Sequence, residues 1–170
     1  MNENYAQPSL PEGVNDQVLR GCYRLPGWPA DGAQPQVTLL GSGAILNEVI
    51  GAARLLAEDG IAAAVFSVTS WSELARDGAA AQAATLSGQS SPQPFVASQL
   101  GTCQGPIVAA TDYVRAVPES IRAFLPAERR YLTLGTDGFG RSDTRAALRT
   151  HFGVDAAHIA QAARYALGGG

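Results

Sequence analysis

The chain has 170 residues, 46% of them apolar, and twelve basic against fifteen acidic side chains give a net charge of −3. That is the length and apolar content of one compact domain with a single core. The acidic balance and the lack of any basic run exclude the electrostatics of a nucleic-acid binder, and the longest strongly apolar run, about six residues at 61–66, is far short of the roughly 20 that cross a bilayer.

Residues 1–35 are rich in Asn, Pro and Gly and read as an arm or linker from a preceding domain, with one short strand predicted around 18–25 through Leu19, Cys22, Tyr23 and Leu25. The opening Asn2-Glu3-Asn4-Tyr5 has neither cap nor periodicity, the pattern expected of a piece cut from a longer protein. Cys22 and Cys103 belong to no Cys-x-x-Cys or Cys/His set and are expected to be free thiols in a reducing compartment. No export signal is visible in the polar, proline-bearing start, so a cytoplasmic location is expected.

Order is expected over 36–170. Val37, Thr38, Leu39 and Leu40 predict a buried strand that ends in Gly41-Ser42-Gly43. A long amphipathic helix follows, with Ile45, Leu46, Val49, Ile50, Ala53, Leu56 and Ala57 at helical spacing and Glu58-Asp59-Gly60 as its close. Residues 63–68 predict the next strand, and Ser70-Trp71-Ser72-Glu73 fits a capping box. The alanine-rich 78–85 predicts a helix, 87–94 a loop, 95–98 a third core strand and 107–110 a fourth. Asp112 is placed to cap a helix carrying Val114, Val117, Ile121, Phe124 and Leu125, in which Pro118 marks a kink or the true first turn.

Tyr131, Leu132, Thr133 and Leu134 predict the fifth strand, which breaks into the least ordinary stretch of the chain, Gly135-Thr136-Asp137-Gly138-Phe139-Gly140-Arg141-Ser142-Asp143. Its glycines permit positive φ and close backbone approach, and Asp137 and Arg141 put opposite charges on either side of Phe139. Ser142 or Asp143 is expected to cap the following helix, which carries Leu148 and Phe152 on one face and stops at Gly153. A last helix is expected from Asp155, with Val154 and Ile159 as a hydrophobic staple. Strands alternating with helices, most strands being continuous apolar runs, predict a three-layer α/β/α domain on a mainly parallel sheet of about five strands. A loop such as 135–143 then lies at the carboxyl edge of that sheet, where it serves as a structural turn, a domain interface or part of a reactive site.

No constellation for catalysis emerges from the residues. Gly41-Ser42-Gly43 invites a dinucleotide reading, but Leu46 stands where the third glycine belongs and no acidic residue follows the next strand near 67–70. His151 and His158 fall on helices without a second ligand at i+4, no Gly-x-Ser-x-Gly elbow exists, and Cys103 in Gly-Thr-Cys-Gln-Gly has no basic neighbour to activate it.

Several of these stretches together resemble one family. Asn2-Glu3-Asn4-Tyr5, Pro11-Glu12-Gly13, Leu39-Leu40-Gly41-Ser42-Gly43, Ser67-Val68-Thr69-Ser70, the run from Glu73 to Gly78, Thr111-Asp112-Tyr113 and, most specifically, the run from Leu134 to Asp143 are similar to the carboxyl-terminal part of the homodimeric pyruvate dehydrogenase first component. The resemblance covers nearly the whole chain, and a looser Gly-x-Asp-x-Phe-Gly recurs in transketolase-like enzymes. It implies an enzyme of three α/β domains that decarboxylates pyruvate oxidatively and passes the acetyl group to the lipoyl acetyltransferase of a multienzyme complex. The first two domains of that family hold thiamine diphosphate and Mg2+ across a dimer interface. The third corresponds to residues 36–170 and is expected to have a mixed five-stranded sheet with one antiparallel strand.

The family's cofactor signature, Gly-Asp-Gly followed some thirty residues later by Asn-Asn, does not occur in this sequence. The resemblance therefore implies no catalytic, cofactor-binding or metal residues within the chain, and a role in contact with the preceding domains and the second subunit, with Asp137, Phe139 and Arg141 as interface candidates. A free-standing module that holds a small anion or a protein on the same fold is the other reading. Whether the source reading frame continues upstream into domains with the Gly-Asp-Gly and Asn-Asn signature discriminates between them.

Overall fold

The computed structural model describes residues 6–30, 32–90 and 92–168. The opening motif at residues 2–5 lies outside the described residues. Five strands, β1 (Cys22–Arg24), β2 (Val37–Ser42), β3 (Ala63–Val68), β4 (Ile107–Ala110) and β5 (Tyr131–Leu134), form one sheet in the order β1-β3-β2-β4-β5. β2, β3, β4 and β5 run parallel, and β1 joins β3 antiparallel at the edge, with Tyr23 opposite Ser67. The expected three-layer, mixed and mainly parallel architecture is thus the one observed.

Alternation along the strands divides the core in two. Val37, Leu39, Val65 and Val108 face one side, packed under α2 (Leu46–Glu58) and α7 (Ala156–Ala166). Leu40, Phe66, Ile107 and Tyr131 face the other, under α3 (Trp71–Leu86) and α4 (Phe95–Leu100). α2 buries Leu46, Val49, Ala53 and Leu56, one stripe at helical spacing. Each such Leu or Val contributes about 1.5–3 kcal/mol when withdrawn from water.

One predicted strand is a helix. Residues 95–98 belong to α4, in which Phe95, Val96, Ala97 and Leu100 are all buried. A short apolar run buried on all sides carries no period that separates strand from helix. The helix is started by a group distant in sequence, the Asp77 carboxylate, which accepts the Phe95 N–H at 2.6 Å. The fifth strand is β1 instead, from the stretch predicted around 18–25, whose first two residues close the short helix α1 (Asn15–Leu19).

The helix expected after Asp112 is broken. α5 (Ala116–Glu119) is a single turn containing Pro118, and a separate 3-10 turn spans Arg122–Phe124. Pro118 lacks the N–H to extend a helix back toward Asp112, so Arg115, not Asp112, stands at its start. α3 begins where the capping box predicts, Ser70 Oγ accepting the Glu73 N–H at 3.1 Å, while the Glu73 carboxylate pairs with Arg76. Gly78 lies inside α3 because the Phe124 ring packs against it, leaving only 2.2 Å for an added Cβ. Both cysteines are free and buried. Burial pushes the Cys22 thiol up to about 12 against the pull of Arg20, and Cys103 packs in the second core rather than in an open turn.

Candidate docking surface at the carboxyl edge of the sheet

The loop from β5 to α6 (Arg145–Phe152) is laced to the loop after β4. The Thr136 N–H donates to the Tyr113 carbonyl at 2.9 Å, and the Thr136 hydroxyl donates to the Asp112 carbonyl at 2.6 Å. Asp137 accepts the Arg115 N–H at 2.8 Å and also pairs with the Arg115 guanidinium. Those contacts, the backbone N–H first, hold the Asp137 carboxyl below its usual range. Beneath them, Ser42 and Thr111 join β2 to β4 through a buried hydroxyl pair at 2.8 Å.

The glycines of the loop differ in what they do. A Cβ on Gly135 would stand 2.6 Å from the Tyr113 carbonyl, so that position requires close approach. Gly138 has φ +95, which L side chains rarely adopt. Gly140 has open space around it and an ordinary φ.

Phe139, at the tip, is 97% exposed, and Tyr113 and Val114 add further exposed apolar surface at this edge. The sequence groups Asp137, Phe139 and Arg141, but the structure separates their roles. Asp137 is bound inward to Arg115, Phe139 points outward, and Arg141 lines a neighbouring cleft. Of the two opposite charges that flank Phe139, Asp137 is paired with Arg115, which lies 22 residues earlier and is reached because β4 and β5 are adjacent.

The cleft has a volume of about 590 Å³ and lies between the 3-10 turn Gly43–Ile45 and α6. Arg141, Arg145, Arg149 and Asp112 line it, with Ile45, Leu148 and Phe152 as apolar lining. Arg149 donates to Glu48 at 2.7 Å, and the other Glu48 oxygen accepts the Ala156 N–H at 3.0 Å, which ties α2 to the last turn of α6 and the start of α7. Sequence inspection passed over Arg115, Arg145 and Glu48. The spacing of 141, 145 and 149 was the available signal for the arginine row, and none existed for Glu48.

α6 is capped by Thr144, whose hydroxyl accepts the Ala147 N–H at 3.3 Å, rather than by Ser142 or Asp143. It ends at Gly153 with φ +66, as the glycine stop predicts. His151 and His158 are both exposed. His151 meets the Phe152 ring edge-on, and His158 Nδ1 lies 2.7 Å from the Asp155 carboxylate. Among the described residues, no group of three or more His, Cys, Asp or Glu side chains is placed to hold a metal ion, and no helix is long and apolar enough to cross a membrane.

Gly41-Ser42-Gly43 has a packing role. A Cβ on Gly41 would come within 2.9 Å of Val49 and 3.0 Å of the Leu46 backbone, so the glycine sets how closely α2 lies on β2.

Comparison with known proteins fits this architecture. The chain is 45% identical over 170 residues to the pyruvate dehydrogenase E1 component of Cupriavidus necator and 46% identical over 170 residues to that of Pseudomonas aeruginosa, in each case with 98% of this chain and 19% of the relative covered. It is 44% identical over 166 residues to that of Escherichia coli, covering 96% of this chain and 18% of the relative. The chain thus spans about a fifth of the length of the relatives it matches. Among solved structures, transketolase from Leishmania mexicana superposes with a TM-score of 0.58 at 17% identity, over 92% of this chain and 19% of that one. A split-gene transketolase described as an inactive β4 tetramer superposes at 0.53 with 19% identity, over 80% of this chain and 40% of that one. The model of the transketolase-like TK C-terminal domain matches residues 21–155. That span takes in all five strands and the laced loop of the carboxyl edge, and the chain belongs to the transketolase-like TK C-terminal domain family.

Proposed function

We propose that this chain is the third, carboxyl-terminal domain of a pyruvate dehydrogenase first component that decarboxylates pyruvate oxidatively and hands the acetyl group to a lipoyl acetyltransferase. Within that enzyme its role is structural: the 135–143 loop docks on a preceding domain or on the second subunit of a homodimer. The observation that carries this reading is identity of 44–46% along 96–98% of the chain with E1 components it spans only in part. The geometry adds support. Phe139 is exposed at the tip of a loop whose base is braced by Asp137, Arg115 and Thr136, so an apolar anchor is presented from a fixed base.

Asp137 is taken by Arg115 and Glu48 by Arg149 and the Ala156 N–H, so two carboxylates here are already committed to other partners. We assign thiamine diphosphate and Mg2+ to the preceding domains. A cytoplasmic setting agrees with two buried thiols left unpaired.

The test is to express the source reading frame whole and to titrate both that protein and the 170-residue chain calorimetrically with thiamine diphosphate and Mg2+. The whole protein should bind the cofactor and decarboxylate pyruvate, and the chain alone should do neither. Micromolar binding by the chain alone would overturn the structural role.

A further inference from the structure

We propose that the cleft between the 3-10 turn Gly43–Ile45 and α6 is a binding site for a small organic anion, a phosphate or carboxylate carried on an apolar body. The proposal does not need the docking role of Phe139, and its test uses the 170-residue chain by itself.

The cleft sits where the topology favours a ligand. α2 leaves β2 toward one face of the sheet, whereas Ile121, in the connection that follows β4, packs on the other face. The carboxyl ends of the adjacent strands β2 and β4 therefore open a crevice at the point where the chain reverses its winding, the usual place for ligands in open α/β sheets. Asp112, two residues past the end of β4, lines the cleft from that side. A volume of about 590 Å³ falls within the range of small-molecule sites.

The lining says which chemistry fits. Arg141, Arg145 and Arg149 recur every four residues, so that Arg145 and Arg149 stand on successive turns of α6 along the cleft that Asp112 also lines. Arginine presents a fork of donors that matches phosphate and carboxylate oxygens. Glu48 positions Arg149 before any ligand arrives, because the same carboxylate is anchored by the Ala156 N–H. Ile45, Leu148 and Phe152 supply an apolar wall beside these charges, which favours an organic anion over an inorganic one.

The experiment is an amide-resolved NMR titration of the chain with phenyl phosphate, inorganic phosphate and benzoate. Phenyl phosphate or benzoate should give saturable shifts at Thr136, Gly138, Arg145 and Phe152, and the tighter of the two identifies the headgroup. Either should bind about tenfold more tightly than inorganic phosphate, since the ring enters the apolar wall. Arg141→Gln and Arg145→Gln should each weaken binding about tenfold. Should either variant unfold, the shift map of the unaltered chain decides. Shifts that map elsewhere, equal affinity for phenyl phosphate and inorganic phosphate, or no saturation by about 10 mM would each overturn the proposal.

Discussion

Phe139→Ala separates docking from folding. The side chain is 97% exposed in the chain alone, so its removal takes almost nothing from the domain's own core. The isolated chain should lose less than about 0.5 kcal/mol of stability, the range of ordinary surface substitutions. If the ring is buried when the loop docks, the gain approaches the roughly 1.5–3 kcal/mol of a fully buried Phe, less the cost of ordering the tip. Association of the whole protein should then weaken by about 2 kcal/mol, close to thirtyfold in the dissociation constant. Sedimentation equilibrium on the whole protein reads the second number and urea unfolding of the chain reads the first. A loss of several kcal/mol in the chain, or unchanged association of the whole protein, refutes the reasoning.

Two further outcomes follow from the hydrogen bonds. Arg129 donates to the carbonyls of Leu100, Gln104 and Gly105 and to the buried Thr38 hydroxyl, which ties α4 to the start of β2. Arg129→Met should cost about 3 kcal/mol in urea unfolding by leaving these acceptors without a donor, and Arg129→Lys should recover less than half, since one ammonium cannot span four acceptors; a change under about 0.5 kcal/mol in the methionine variant would refute this account. Asp155 caps α7 by accepting the His158 N–H at 2.9 Å and the Thr150 hydroxyl at 2.7 Å. Burial pushes its carboxyl up, but these bonds outweigh it and the net shift is downward. A carboxyl depressed on folding stabilises above its unfolded pKa of about 3.9 and loses that contribution as pH falls through the lower folded value. Asp155→Ala should therefore cost about 1–2 kcal/mol near pH 7 and progressively less below about pH 4, measured by denaturant unfolding across that window; a cost independent of pH would refute the assignment.

Much of this protein is legible in its sequence, and the legible part is local. β2, β3, β4 and β5 announce themselves as near-continuous apolar runs, α2 by its stripe of Leu46, Val49, Ala53 and Leu56, α3 and α7 by the Ser70 and Asp155 caps, and the stop of α6 by Gly153. In each case the cause lies within a few residues of the effect. The family was likewise readable from contiguous motifs, above all 134–143.

What only the tertiary structure decided depends on groups far apart in the chain. Residues 95–100 are helical because Asp77, 18 residues earlier, accepts the Phe95 N–H, and because all sides of the run are covered. The extra strand of the sheet comes from β1, whose pairing with β3 spans more than forty residues. At the carboxyl edge the same holds. The sequence showed two opposite charges flanking Phe139 without showing their partners, whereas adjacency of β4 and β5 delivers Arg115 to Asp137, and Arg141 lines the cleft. Glu48 meets Arg149 across 101 residues for a similar reason, since α2 and α6 follow strands that end at one edge of the sheet. A charge pair needs only a few ångströms in space, and strand order, which no local pattern encodes, sets which charges come within that distance.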